Sequence, residues 1–203
     1  MKKQKIREKW LRFTAETNAL DFLERAGKFI LQTESDIKAW KWVILSLHGA
    51  LYGFAICACR STDYGNIIHR TKKGMGIERL ITLDKALSIC QDRKWMGTLY
   101  GGKPLELTVS QDYSIKILKQ SLRNNFEHYI PKGWSIEIHW LPSITIDILD
   151  VIRFLSVETF RYQHLNQSQR RRIKSIIFRS KRLLKKSALY QEILLAEEST
   201  TSA

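Results

Sequence analysis

Arg123 and His128 stand five positions apart in the string Arg-Asn-Asn-Phe-Glu-His, with Asn124 directly after the arginine. The guanidinium of arginine keeps its charge at any working pH and can hold a phosphate with a planar fork of donors. Histidine exchanges a proton near neutrality. RNA carries its own nucleophile, the 2′-hydroxyl beside each phosphate, so this pair is a small kit for cutting it. His128 would act as general base on that hydroxyl or as general acid on the leaving oxygen. Arg123 would stabilise the charge that develops on the phosphoryl oxygens, and Asn124 would orient the histidine or the phosphate. No other arginine in the chain has a histidine at this spacing. A plainer alternative is a surface ion pair between Arg123 and Glu127, four apart, with His128 as a polar helix-end residue.

The elements that would position these groups are mostly helical. Thr-Val-Ser-Gln from Thr108 to Gln111 matches a capping box. Ile115, Leu118 and Leu122 then line one helix face, Ile117 broadens it, and the helix should end near Tyr129, before Pro131 and Gly133. On an ideal helix Arg123 and His128 lie about 140° apart, whereas Asn124 and His128 share a face. Trp134 to Trp140 alternates apolar and polar residues, a short strand signal without a certain partner, and Pro142 stops it. Upstream, periodicity predicts a helix over 17–31 that could run back into the basic N-terminal stretch, and a second over 36–59. The second carries Gly49 and Gly53, a stripe of small residues suited to close approach by another helix or a second copy. Residues 60–80 read as a basic loop with His69, Arg70, Lys72 and Lys73, and Thr82 caps a short helix to about Lys94. Residues 144–160 are helical by pattern, and 167–196 form one long basic amphipathic helix ahead of a disordered tail, 197–203.

Charge says what partner such a chain suits. The formal net charge is +14, loaded at the N-terminal end (Lys2, Lys3, Lys5, Arg7, Lys9, Arg12) and again near the C-terminal end. Arg170, Arg171, Arg172, Lys174, Arg179, Lys181 and Arg182 are the candidate nucleic-acid contacts, because neutralising phosphates releases condensed counterions. Solvated helix faces and an anionic membrane surface are the competing readings. The three cysteines form no disulfide framework, and Cys57 and Cys59, two apart on a helix, point in roughly opposite directions. That suits a reducing, cytoplasmic setting. Val43 to Cys59 is uncharged over 17 residues, which reads as a core helix rather than a span. His48 within it reads as a buried, hydrogen-bonded histidine. His139 and His164 have no partner pattern, no zinc or other metal site is recognisable, and Gly74-Met75-Gly76 is too short for a phosphate loop, so no cofactor is expected.

The string at Arg123 to His128, with asparagine after the arginine, resembles the Arg-x4-6-His signature of the HEPN superfamily (higher eukaryotes and prokaryotes nucleotide-binding). The resemblance covers residues 17–160. It implies an all-α, up-and-down helical bundle over 1–166, here with a short strand-like insertion and the basic helix 167–196 packed on or extending from it. It further implies a metal-independent endoribonuclease that cleaves by 2′-hydroxyl attack, with Arg123, Asn124 and His128 in the site. Homodimers with paired motifs in one cleft, an antitoxin or regulatory partner, and a role as toxin or anti-phage effector belong to the same implication. In one toxin branch a tyrosine follows the histidine by two positions; Ile130 stands there and Tyr129 is adjacent. The other class of reading is a non-catalytic helical module that binds nucleic acid or an acidic partner.

Overall fold

The structure, a computed structural model, describes residues 9–61, 64–69, 79–97, 102–128, 131, 133–159 and 165–201. Helix α1 (Ala15–Ile30) starts at Thr14, whose side chain and that of Thr17 form a reciprocal capping box. Residues 9–14 ahead of it are not helical, so the helix does not run back through them. Leu20, Leu23, Ala26 and Ile30 recur at helical spacing and are all buried. Asp36 accepts the Lys38 N–H at 2.9 Å just before α2 (Ala39–Cys59) begins, a few residues later than the pattern predicts.

Helix α2 is the spine of the core. Val43, Ile44, Leu47, Leu51 and Phe54 are fully enclosed, and α1, α3, α7 and the motif helix all pack around it. The glycine stripe is used inside the chain: a Cβ on Gly53 would lie 2.7 Å from Ala19 Cβ, and one on Gly49 would meet the Phe22 ring at 2.6 Å. At the far end, Arg60 forms an ion pair with Glu16, both side chains nearly enclosed, which ties the end of α2 to the start of α1. Among the described residues α2 is the one helix long and apolar enough to cross a membrane, with mean hydropathy 1.7, and 61% of that stretch is buried inside the fold.

The remaining elements form a helical bundle, so the fold is all-α. A two-residue hairpin, β1 (Ile68–His69) against β2 (Arg79–Leu80), lies in the segment expected to be a loop; it is antiparallel, with Ile68 opposite Leu80. Thr82 caps α3 (Leu83–Gln91), and Asp92 separates it from the short α4 (Arg93–Gly97). The motif helix follows, as α5 (Val109–Lys116), a π-helical stretch π1 (Ile117–Arg123) and α6 (Asn124–Glu127). Helix α7 (Leu141–Arg153) has Pro142 in its first turn, where a missing N–H costs nothing, and continues as π2 (Phe154–Glu158).

Two expectations are corrected. Residues 134–138 form no strand: they carry no regular secondary structure, keep an alternation of exposed and half-buried side chains, and have no strand partner among the described residues. They rest on helix surfaces instead, and His139 at their end is held between Glu137 and Glu192, its Nε2 3.1 Å from the latter. The long basic helix is two helices, α8 (Gln167–Lys186) and α9 (Ala188–Thr201), so helix also covers most of the expected tail. Ser187 makes the break. Its backbone is extended (ψ 147°), and its buried hydroxyl donates to the Leu184 carbonyl at 2.6 Å and accepts the Tyr190 N–H at 3.4 Å. One side chain thereby ends one helix and starts the next.

Candidate functional site

Positioning of the motif begins at Thr108, where the expected capping box is present with Gln111. Ile115, Leu118 and Leu122 seat the helix in the core. The π-helical turns end at Arg123, so the motif begins where the helix changes its winding. Such wide turns are frequent at functional sites. His128 caps the helix with a non-helical backbone (φ −125°, ψ 47°), its N–H donating to the Asn124 carbonyl at 2.8 Å.

That departure from helical backbone decides the geometry. Arg123 Nη2 forms an ion pair with Glu127 Oε2, and His128 Nε2 lies 3.9 Å from the same oxygen. The two motif groups therefore converge on one carboxylate. The ion pair expected as the plainer alternative is present, and it holds the arginine beside the histidine. Asn124 bonds to Arg123 rather than to His128: its Oδ1 accepts from Arg123 Nη1 at 3.1 Å. Arg123 Nε is buried and has no hydrogen-bond partner among the described residues. The His128 side chain is 68% exposed, so an incoming strand can reach it.

Sequence reasoning missed His48. It sits on α2, half-buried, facing the motif helix, and burial pushes its imidazole below the ordinary histidine value. The positive charges of Arg123 and Lys119 push it the same way, while Glu127 opposes them. Its ring centroid is 6.5 Å from that of Tyr52, one helical turn on, and it has no hydrogen bond among the described residues, contrary to the expectation of a bonded core histidine. No local spacing could have paired His48 with Arg123, because only the packing of α2 against π1 brings them together. Lys119 is itself anchored to Asp84 at 2.6 Å. Arg123, Glu127 and His128 thus share one helix end, with His48 within electrostatic reach of the first two, a set able to hold a phosphate and move protons beside it. Among the described residues no group of three or more histidine, cysteine, aspartate or glutamate side chains could hold a metal ion.

The candidate nucleic-acid contacts all fall on α8, whose buried face is Ile173, Ile177, Ser180 and Leu184. Arg172 pairs with Glu24 of α1 at 2.6 Å and Lys181 with Asp150 of α7 at 2.6 Å, so these two staple α8 to the bundle. Arg170, Arg171, Lys174, Arg179 and Arg182 are exposed and form no salt bridge among the described residues. Of the basic loop, His69 is exposed in β1, while Arg70, Lys72 and Lys73 lie outside the described residues, as do His164, Tyr129 and Ile130. The N-terminal cluster lies outside them too, apart from Lys9 and Arg12, both exposed. Compared with known proteins, the chain matches no family model, no curated protein and no solved structure.

Proposed function

We propose that the chain is a HEPN-type endoribonuclease. One observation carries the reading: Arg123 Nη2 pairs with Glu127 Oε2, and His128 Nε2 lies 3.9 Å from that same oxygen, at an open helix end. A phosphate entering there would displace Glu127 from the guanidinium and take its donors. The 2′-oxygen attacks phosphorus, its proton passing to an imidazole. The bond to the 5′-oxygen breaks, that oxygen takes a proton, and a 2′,3′-cyclic phosphate and a 5′-hydroxyl result. His128 serves as one of the two proton carriers. A second copy of the chain, its motif in the same cleft, would supply the other. All the chemistry is done by side chains, so no metal is required. A cytoplasmic toxin or defence effector, held in check by an antitoxin or regulatory protein, is the setting this resemblance favours.

The test is cleavage of single-stranded RNA in EDTA, with single-stranded DNA as the control lacking the 2′-hydroxyl. His128→Ala should lower the rate by about 10²- to 10⁴-fold and Arg123→Ala by about 10²- to 10³-fold. Circular dichroism and oligomeric state should stay unchanged. Wild-type rates in both variants would end the proposal. The second reading, a non-catalytic binding module, is favoured by the exposed cations of α8 and by the neutralisation of Arg123; it requires that the purified wild type leave RNA intact.

A further inference from the structure

Beside the motif lies an aromatic pocket. Phe126, between Arg123 and His128 in the chain, meets the Trp134 ring edge-on, with centroids 4.9 Å apart and planes at 67°. Those two side chains form one wall of a cavity of about 610 Å³, and Trp40, Lys41 and Trp42 at the start of α2 form another. Ile136 also lines it, so the stretch that was expected to be a strand serves here as a wall. Trp42 is 48% and Trp134 40% exposed. Trp42 is stacked on Phe29, with centroids 6.0 Å apart and planes at 26°, whereas the Trp134 indole stays open to water beside the motif and calls for an occupant.

Three features narrow its chemistry. The exposed Trp134 indole is a flat apolar platform, which suits a planar ligand. Trp40 is 3% exposed, and its buried indole Nε1–H has no hydrogen-bond partner among the described residues. A buried donor left without a partner is costly, so an occupant with an acceptor in its plane is favoured over a purely apolar one. Lys41 stands over the Trp42 ring at 5.1 Å, a cation at the rim of the pocket. A ligand with a π-face, an in-plane acceptor and an adjoining negative charge is a nucleotide. Every base offers a face for stacking, and ring nitrogens or carbonyl oxygens for the indole N–H.

We infer that this pocket receives an unpaired nucleobase of the strand whose phosphate lies at Arg123. The inference rests on the proposed ribonuclease reading and names its substrate class, single-stranded RNA. A base held in a duplex is already stacked and cannot enter, so the pocket selects loops, bulges and ends. Stacking at Phe126 and Trp134 would also fix the backbone register, setting which phosphate meets Arg123 and His128.

Binding can be measured without cleavage by using His128→Ala as the parent protein. The probes are a fluorescein-labelled 12-nucleotide single-stranded RNA of mixed sequence, the same strand with abasic riboses at its central positions, and the matching RNA duplex, all followed by anisotropy. Adding Trp134→Ala should weaken the intact strand by about 5- to 150-fold, the range for loss of one stacked base. Affinity for the abasic strand and the duplex should not move. Trp134→Phe should retain most of the affinity, and Trp40→Phe, which keeps the plane but removes the donor, should lose part of it on the intact strand alone. Trp42→Ala checks the opposite wall should Trp134→Ala lower the melting temperature. Equal losses on intact and abasic strands, or none, would overturn the inference. So would a shift from dimer to monomer on sedimentation of Trp134→Ala, which would make the pocket an interface between copies. Cleavage is scored separately: base-dependent binding with no hydrolysis by the wild type would sink the nuclease reading alone, and hydrolysis without base-dependent binding would sink the pocket alone.

Discussion

His48 is kept neutral in the folded chain by burial and by the positive charges of Arg123 and Lys119, with Glu127 acting the other way. The unfolded chain regains the ordinary histidine value of 6.5. Below that pH the unfolded state therefore takes up a proton that the folded state resists, so stability present above it is lost as the pH falls. Melting temperature should drop further between pH 7.5 and pH 5 in the wild type than in His48→Gln. An equal drop in both proteins would show that other groups set the acid sensitivity. The string Arg123, Asn124 and His128 was legible because its spacing is local, but ideal helix geometry put Asn124 beside His128, whereas Asn124 bonds to Arg123. The role of Glu127 was half legible, since i,i+4 spacing foretold its pairing with Arg123 but not the approach of His128 to the same oxygen. His48 was hidden, because an apolar helix gives no sign of which neighbour its lone histidine will face.

Two helix caps were legible, while those at Thr14 and Asn166 were not. Thr82, with Thr108 and Gln111, act at the residues their types indicate, because capping depends on one side chain and the next turn. Endings were harder. Ser187 looks like any polar residue on a basic helix, yet it is buried and takes an extended backbone where α8 turns to α9. Alternation in Trp134 to Trp140 was read as a strand and forms none, since pairing requires a partner that periodicity cannot supply. The glycines of α2 allow a sharper test. Ala at position 53 would gain about 1 kcal/mol of helix propensity. Its Cβ would nevertheless press on Ala19, 2.7 Å from Cβ and 3.2 Å from the backbone Cα, which cannot swing away. Overpacking of this kind costs about 1–3 kcal/mol, so Gly53→Ala should lower the urea midpoint with an unchanged slope. A raised midpoint would mean that α1 moves aside freely.

Over the molecule as a whole, the charge of +14 was plain from composition, but its division into outward-facing and ion-paired cations was not. Arg172 and Lys181 hold α8 against Glu24 and Asp150, while Arg170, Arg171 and Arg179 face outward. Replacing these three by glutamine should reduce the slope of log affinity for single-stranded RNA against log salt by about 2, at about 0.7 for each phosphate no longer neutralised. A slope that does not change would place the polyanion surface elsewhere on the molecule. The helical class, the apolar spine at 39–59 and the Arg–His string follow from patterns a few residues long, where bonded geometry sets which side chains are neighbours. The His48 approach, the two ion pairs of α8 and the aromatic pocket join segments far apart in the chain. Their existence depends on how the helices pack, and packing is chosen by the fit of the entire core rather than by any one stretch of it.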